Sequence, residues 1–528
     1  MQKGLILVGS LIVACAGAAP PEAKAPPAAS AAAPPAPATP SSTSAPPAEA
    51  APAPVPPPPA TCTVFSARAA GQAAACDNLA AARKELDQAL AEKDAERRDA
   101  RLLALESCSA LPVGTIRALR AELAPEGCAD ALVDPLLAAP PPALRLDLRQ
   151  ALEGLSLAGK LARLASTPPA LGAPIDKARF QQYMKESLAP WIVGQAAAIH
   201  QLASKGARLG GYGKGIAAVE AGSADMRFVE VVRDVPLPDE LARDQELKNV
   251  YYASLDQALD PRKDRGRDAA LVGLRELAAE GILADARVER SRQLLSKLYA
   301  GRRIDALDAL LLPPLPAPDL TTVERRLAAR LPTFYTGLVL ADQKPDDPAL
   351  LRALLQRGLP RSLRAGLDAG KLSGPAAELY ARILVELGRR YWRSEDFERA
   401  ARVLELDPAS AGKASDSTRL VRGLANALRG GPRDAAEMML RGPFLPAGVG
   451  NVQELDALAK AGGPIGGMAA YDAAFILQLV PPRTADAAFW KDVATRFRRA
   501  AQLLADPAAK RSAGERSKAA DDTARALH

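Results

Sequence analysis

The stretch LGRRYWRSEDFERAARVLELDP, residues 387–408, gives the clearest indication of the fold in this 528-residue sequence. Two sets of its apolar residues recur three or four positions apart, as on the buried face of a helix. They are Leu387 with Tyr391, and Phe397 with Ala400 and Leu404. The pattern stops at Asp407-Pro408, where a proline would interrupt a helix. Helical structure that ends near Pro408 is therefore predicted.

The rest of the folded part has a similar composition. Residues 62–528 are rich in Ala, Leu, Arg, Glu and Asp, and Pro or Gly separates their short helical patterns. A succession of helix, proline turn and helix is typical of an α-solenoid. We therefore expect an all-α fold, an α-solenoid of helical hairpins. Residues 226–235 alternate enough to suggest a strand, and a helix is nearly as compatible with them.

Residues 387–408 resemble a tetratricopeptide repeat. Leu387 and Gly388 are similar to the family's pair that lets two helices approach, and Tyr391 is similar to its aromatic core residue. Phe397 resembles the start of the family's second helix. Ala400 resembles the same part of the family's second helix. From Ala400 to Pro408 the chain is about one helical turn shorter than in the family, so a truncated second helix is expected. The resemblance implies degenerate repeats, with an end cap in a terminal helical pair at 486–522.

The same resemblance implies a binding surface on the first helix of this unit. The family's concave groove maps onto Arg382, Val385, Arg389, Trp392 and Arg393. Trp and Arg are enriched at binding hot spots, so the expected ligand is an acidic or C-terminal peptide segment of an envelope protein. The alternative is that Trp392 packs against a neighbouring repeat and the arginines form a solvated face.

The N-terminus predicts export. Lys3 precedes an apolar run that is too short to span a bilayer. Residues 12–15, Ile-Val-Ala-Cys, resemble the bacterial lipobox, which implies a signal peptide at 1–14 and a lipid on Cys15; an ordinary secretory signal is the alternative. Ala16 stands where an Asp would resemble an inner-membrane retention signal. We therefore expect an outer-membrane lipoprotein, on the periplasmic side or at the cell surface.

Composition divides the remaining chain. Residues 15–61 are almost entirely Ala, Pro, Ser and Thr, which predicts a disordered linker. We expect a Cys-containing helical domain at 62–170, a central helical domain at 171–315 and a tetratricopeptide-like helical domain with its end cap at 316–528.

Four cysteines remain after the one predicted to be lipidated: Cys62, Cys76, Cys108 and Cys128. An even set in an exported chain predicts two disulfides, and three pairings are possible. We favour Cys62 with Cys76 and Cys108 with Cys128, because each bond then ties neighbouring segments. Four free thiols are the alternative. A zinc site is not expected, since no Cys-x-x-Cys pair is present.

A glycine cluster lies at residues 206–222. A phosphate loop requires Gly, four residues, Gly-Lys and then Ser or Thr, but Gly213-Lys214 is followed by Gly215, and Arg208 stands where the first Gly belongs. The four-residue spacing of the glycines instead predicts tight helix packing, with Gly194 and Ala198 upstream as an opposing surface. A ligand-contacting glycine loop is the alternative.

Charge and histidine content limit the function classes. The net charge is +7, with acids and bases interspersed, so nucleic-acid binding is not expected. The sequence has 2 histidines and no evident catalytic triad, and we expect neither an enzyme nor a cofactor nor a bound metal. Glu186-Ser187 resembles, poorly, the Glu-Ser of lytic transglycosylases, which are cell-wall hydrolases.

The expected function is a non-enzymatic, lipid-anchored envelope scaffold or adaptor that binds protein partners through its helical surface. The alternatives are a protein that binds peptidoglycan or another polysaccharide, and a cell-wall hydrolase of the lytic transglycosylase type. Glycan cleavage that is lost on Glu186→Gln would distinguish the hydrolase from both binding proteins.

Overall fold

The computed structural model describes residues 51–66, 76–299, 301–315, 317–367, 370–408, 414–442 and 451–527. The predicted signal peptide, Cys15 and most of the predicted linker lie outside these residues. The all-α prediction is confirmed: in the ranges just given, β pairing consists of an isolated bridge between Ile282 and Gly358. The region predicted as a strand or a helix, 226–235, is helical as far as Arg233.

The α-helices run in chain order as follows: Thr63–Ser66, Leu79–Ala91, Ala95–Ala104, Thr115–Leu123, Ala129–Ala138, Leu146–Arg163, Lys177–Tyr183, Ala189–Gly206, Gly211–Arg233, Asp239–Arg243, Gln245–Ala279, Ala286–Leu298, Val323–Arg330, Thr333–Val339, Pro348–Leu354, Arg361–Arg364, Pro375–Tyr391, Ser394–Leu406, Asp416–Leu428, Ala435–Arg441, Gln453–Ala461, Gly463–Leu479, Ala487–Leu503 and Pro507–Ala526. A π-helical turn covers Met184–Leu188, and short 3-10 turns cover Ala60–Cys62 and Ala306–Ala309.

The chain forms two compact units. The smaller unit includes residues 51–56, 164–201 and 224–265. In it Trp191 stacks on Phe228 with ring centroids 5.7 Å apart. The guanidinium of Arg262 lies 4.9 Å from the Phe228 ring centroid and pairs with the buried carboxylate of Asp225. These contacts pack the two rings and the Arg262–Asp225 pair together within the smaller unit.

The end of the predicted linker is docked on the smaller unit. The N–H of Ala53 donates to the carbonyl oxygen of Gly194 at 2.9 Å. A Cβ added at Gly194 would lie only 3.1 Å from the Ala53 Cβ, so the two backbones are close. Gly194 therefore serves this contact and not the predicted packing against the glycine cluster.

The larger unit comprises residues 57–163, 202–223 and 266–528. Its N-terminal part contains two disulfides, Cys62–Cys128 and Cys76–Cys108, with Cα–Cα distances of 5.3 and 5.9 Å. The pairing that we favoured from the sequence is wrong. Cys76 precedes the first helix of the hairpin formed by Leu79–Ala91 and Ala95–Ala104, and Cys108 follows the second. Chain reversal brings these two ends together, which spacing along the sequence does not reveal.

The helical hairpin at 375–406 matches the local prediction. Pro375–Tyr391 and Ser394–Leu406 pack together, and Gly388 allows the approach, since a Cβ there would lie 2.9 Å from Cζ of Phe397. The second helix ends before Pro408, as expected. The predicted terminal pair is also present in Ala487–Leu503 and Pro507–Ala526.

Glycines of the 206–222 cluster permit tight helix packing, as predicted. A Cβ at Gly213 would clash with the backbone of Gln150 in the helix Leu146–Arg163. A Cβ at Gly215 would lie 2.7 Å from Leu277, and one at Gly222 would lie 2.6 Å from the backbone of Gly266. The opposing surfaces are therefore the helix 146–163 and the last part of the helix 245–279.

Candidate functional site

The predicted groove on the helix Pro375–Tyr391 is covered by residues 304–313 of the same chain, which we call the strap. Ile304 and Leu307 of the strap are fully buried, and Leu310 is buried as well. Trp392 is only 3% exposed, and its indole N–H donates to the carbonyl oxygen of Ile304 at 2.8 Å. The predicted hot-spot tryptophan therefore contacts its own chain.

The arginines of this face also bind the strap. Arg389 donates to the Leu310 carbonyl at 3.2 Å, and Arg382 donates to the Pro313 carbonyl at 2.9 Å. From the other side, the N–H of Leu311 donates to Oδ1 of the buried Asp472 at 2.8 Å. The strap is thus bound through its main chain by side chains of two helices.

The remaining two predicted groove residues do not form an open surface either. Val385 is fully buried, and Arg393 pairs with Glu395 and with the buried Asp396. The five residues predicted to bind a partner are therefore buried or bonded within this chain, and they do not line an open groove.

Displacement of the strap would be costly. Burying one Leu or Ile side chain contributes about 1.5–3 kcal/mol, so Ile304, Leu307 and Leu310 together contribute roughly 5–9 kcal/mol. A peptide that binds with micromolar affinity gains about 8 kcal/mol in total. The free energy needed to displace the strap would therefore offset all or most of the binding free energy of a partner peptide. We conclude that the strap belongs to the core.

An open cleft lies elsewhere in the larger unit. Its volume is about 490 Å³, within the range of roughly 300–1,000 Å³ that is usual for small-molecule sites. Five segments line it, and the longest of their helices are Leu146–Arg163 and Gly211–Arg233. The described lining residues are Arg145, Asp147, Gln150, Gly210, Gly211, Tyr212, Glu280, Phe334, Gly337, Leu338, Pro360, Arg361, Ser362 and Ala365.

Stacked aromatic rings form one wall of the cleft. Phe334 is half-buried and stacks on the buried Tyr212, with centroids 4.4 Å apart and planes 5° from parallel. Tyr335 lies edge-on to both rings, at 5.4 Å from Phe334 and 6.2 Å from Tyr212. Parallel and edge-on contacts are the favourable geometries of aromatic rings.

A buried polar network holds this stack in place. The hydroxyl of Tyr212 donates to Oε2 of Glu122 at 2.9 Å, and Arg287 donates to Oε1 of the same carboxylate at 2.7 Å. Burial raises the pKa of Glu122, and Arg287 opposes that rise. Burial also holds the pKa of Tyr212 well above its ordinary value, so the phenol stays protonated and acts as a donor. The wall of the cleft is thus preorganised.

The charged groups of the cleft form two pairs. Arg145 pairs with Asp147 at 2.7 Å, and both side chains are largely exposed. Arg361, 70% exposed, lies 3.9 Å from the carboxylate of Glu280, which is 14% exposed. Burial raises the pKa of Glu280, against the lowering effect of Arg361 and Arg364. The described lining therefore contains two guanidinium and two carboxyl groups, and its formal charge is balanced.

The turn Gly210-Gly211 brings backbone to the cleft. Gly211 has φ +51°, a left-handed conformation that favours glycine, and a Cβ there would lie 3.1 Å from Oε1 of Glu280. These two glycines line the cleft, whereas Gly213 and Gly215 pack against helices. Both interpretations of the glycine cluster therefore apply, to different glycines.

Sequence analysis missed Phe334, Glu280 and the arginines of the cleft. One weak signal was available for Phe334: aromatic residues are only 4% of the chain, and Phe334-Tyr335 is one of four adjacent aromatic pairs. For Arg145 and Arg361 no local signal exists, because both are exposed arginines in an arginine-rich sequence.

Glu186, the residue of the hydrolase hypothesis, and His200 do not line the cleft. Glu186 is exposed in the π-helical turn and accepts a hydrogen bond from Gln182 at 3.0 Å. His200 is exposed. Among the described residues, no three His, Cys, Asp or Glu side chains are grouped so as to hold a metal ion. Within the same residues, no helix has both the length and the apolar character needed to cross a membrane.

Comparison with known proteins gives no relative. No family model, no curated protein and no solved structure matches this chain.

Proposed function

We propose that this protein is a non-enzymatic, lipid-anchored adaptor of the cell envelope, and that it holds its envelope partner in the cleft lined by Phe334 and Arg361. The signal sequence and the lipobox-like residues before Cys15 support the anchor, and the composition of residues 15–61 supports a linker. On this proposal the helical body is a degenerate α-solenoid of the tetratricopeptide-like kind, held near the outer membrane.

The observation that supports the cleft as the binding surface is its combination of openness and rigidity. Its rim is exposed, with Arg361 at 70%, while its aromatic wall is fixed by the bonds from Tyr212 and Arg287 to Glu122. A site whose side chains are already held in place loses little conformational entropy on binding. The strap-covered face offers no such opening, because its apolar contacts are already made.

The lining favours binding over catalysis. Its described side chains include no Cys or His, and each of its two carboxylates lies beside an arginine. General acid catalysis by a carboxyl group requires a protonated form that persists near neutral pH, as in an apolar cleft. Glu186, the residue of the hydrolase hypothesis, is exposed and offers no apolar cleft for such a role.

The experiment that tests the cleft is crosslinking in intact cells followed by capture of the anchored protein. The cleft variant combines Phe334→Ala and Arg361→Ala. The matched control combines Phe489→Ala and Arg483→Ala, a half-buried aromatic and an exposed arginine outside the cleft. Captured material is examined for both protein and sugar. We expect one component that the wild type and the control retain and the cleft variant loses.

Equal capture by all three forms would overturn the assignment of the cleft. The anchor is tested separately with Cys15→Ala, which we expect to move the protein from the membrane fraction to the soluble fraction. An unchanged membrane fraction would contradict the lipid anchor.

A further inference from the structure

We infer that the cleft recognises a neutral, polyhydroxylated ligand, a segment of glycan. This inference rests on the proposed function, since it names the ligand class of the same cleft. It follows from the charge of the lining, from the position of Phe334 and from a contrast with the way this chain binds a peptide segment.

The balanced charge of the cleft argues for a neutral ligand. Arg145 is paired with Asp147, and Arg361 lies beside Glu280. A strongly anionic ligand would meet two carboxylates as well as two guanidinium groups, and a cationic ligand would meet the reverse. Neither gains the net attraction that a cleft of one charge sign would provide.

The same groups suit hydroxyls. A hydroxyl both donates and accepts, so it can satisfy a carboxylate and a guanidinium at once. Asp147 and Glu280 supply acceptors, Arg145 and Arg361 supply donors, and the amide of Gln150 supplies both. Alternating donors and acceptors around one cleft are what a ligand with several adjacent hydroxyls requires.

Phe334 provides a flat apolar surface among these polar groups. One face of its ring is covered by Tyr212, while the residue also lines the cleft. A sugar ring has C–H groups on its faces and hydroxyls around its edge, and weak C–H contacts to the negative face of an aromatic ring are favourable. A sugar stacked on Phe334 would therefore direct its hydroxyls toward the charged rim.

The strap shows how this protein binds an extended peptide segment. There, apolar side chains such as Leu307 are fully buried, and donors such as Trp392 and Arg389 reach carbonyl oxygens along the segment. The cleft has a different construction, with exposed ion pairs and a single aromatic wall. Because an extended peptide needs pockets for alternate side chains, the cleft fits a glycan better than a peptide.

The test is binding of defined probes to the full-length anchored protein in detergent, by titration calorimetry. The probes are a β-linked N-acetylglucosamine tetramer, an α-linked glucose tetramer and a synthetic peptide with the strap sequence 304–313. Sedimentation with purified sacculi is measured in parallel. We expect saturable binding of at least one sugar probe, weakened about tenfold or more by Phe334→Ala and unchanged by Phe489→Ala.

The outcomes separate this inference from the proposed function. If neither the tetramers nor sacculi bind, or if Phe334→Ala leaves sugar binding intact, the glycan inference is overturned. Binding of the peptide alone, with the same dependence on Phe334, would overturn the ligand class and leave the adaptor in place. Cleavage of a bound tetramer by the wild type would overturn the non-enzymatic function and support the glycan class.

Discussion

The strap-covered face and the cleft, both in the larger unit, each combine an aromatic ring with arginines, but the strap-covered face is closed and the cleft is open. On the strap-covered face Trp392 and Arg382 are buried and bonded to the strap. In the cleft Phe334 is half-buried and Arg361 is mostly exposed. The same residue types therefore mark an internal contact in one place and an available surface in the other.

Main-chain chemistry accounts for the internal contact. The strap ends in a proline-rich stretch, and proline has no N–H to donate within regular structure, while every carbonyl oxygen still needs a donor when it is buried. Long side chains can supply these donors from a neighbouring helix. Arg382 and Arg389 do so for Pro313 and Leu310, and the indole of Trp392 does so for Ile304.

The largest expected effect follows from the closed face. Trp392→Ala removes a buried ring and the donor to Ile304, and we expect it to lower the free energy of unfolding by about 3–5 kcal/mol. Trp490→Ala is the matched control, since Trp490 is only half-buried, and we expect a loss below about 1.5 kcal/mol. Urea unfolding measures both. Similar small losses for the two variants would mean that the strap is held loosely and that the face can open.

The helical hairpin at 375–406 could be predicted from its resemblance to a tetratricopeptide repeat, because its defining contacts lie within one short segment. Gly388 and Phe397 are nine residues apart in sequence, on two helices joined by a short turn. The strap could not be predicted in this way. Trp392, which donates to the carbonyl oxygen of Ile304 in the strap, lies 88 residues from Ile304 in sequence. No helical periodicity relates two residues that far apart.

The disulfides and the cleft also depend on contacts between distant segments, which local sequence patterns do not predict. The bond Cys62–Cys128 joins residues 66 positions apart, across several intervening helices, so preference for neighbours along the chain led to the wrong pairing. The cleft is assembled from five segments between Arg145 and Ala365. Only the glycine-rich segment was singled out in the sequence, and the other four gave no motif, because the site exists only through their packing.

Two glycines of the 206–222 cluster sharpen the difference between packing and cleft. Gly213→Ala would drive a methyl group into the backbone of Gln150, and we expect a loss of about 3 kcal/mol. Gly211→Ala meets only the end of the Glu280 side chain and an unfavourable φ, and we expect about 1 kcal/mol. Thermal and urea unfolding give both values. The reverse order would show that Gly211 and not Gly213 is the tightly packed position.

Phe334→Ala is the corresponding change in the cleft. Because the ring is half-buried and its main partner is Tyr212, we expect a loss of about 1.5 kcal/mol or less, far below that for Trp392. The decisive result is a combination: near-native stability by urea unfolding together with lost ligand capture. A loss as large as that of Trp392→Ala would place Phe334 in the core and remove the support for an open, preformed cleft.

The smallest expected effect is a difference in how protein stability depends on pH through one carboxyl group beside the strap and one in the cleft. Burial holds the pKa of Asp472, beside the strap, well above its ordinary value, and burial also raises the pKa of Glu280 in the cleft. For a carboxyl whose pKa is raised on folding, the folded state retains its proton more strongly, so stability is full at low pH and falls as pH rises through the folded pKa.

Asp472→Asn removes the loss of stability at high pH, because no charge then has to be buried. The amide oxygen can still accept the hydrogen bond from the N–H of Leu311. We expect equal unfolding free energies near pH 3.5 and a more stable variant at pH 8. Glu280→Gln should show the same trend more weakly, because Arg361 and Arg364 favour the ionised Glu280 carboxyl and the rim of the cleft is exposed. A larger gain for Glu280→Gln would mean that the cleft is the more enclosed of the two regions, and the comparison would then have to be reversed.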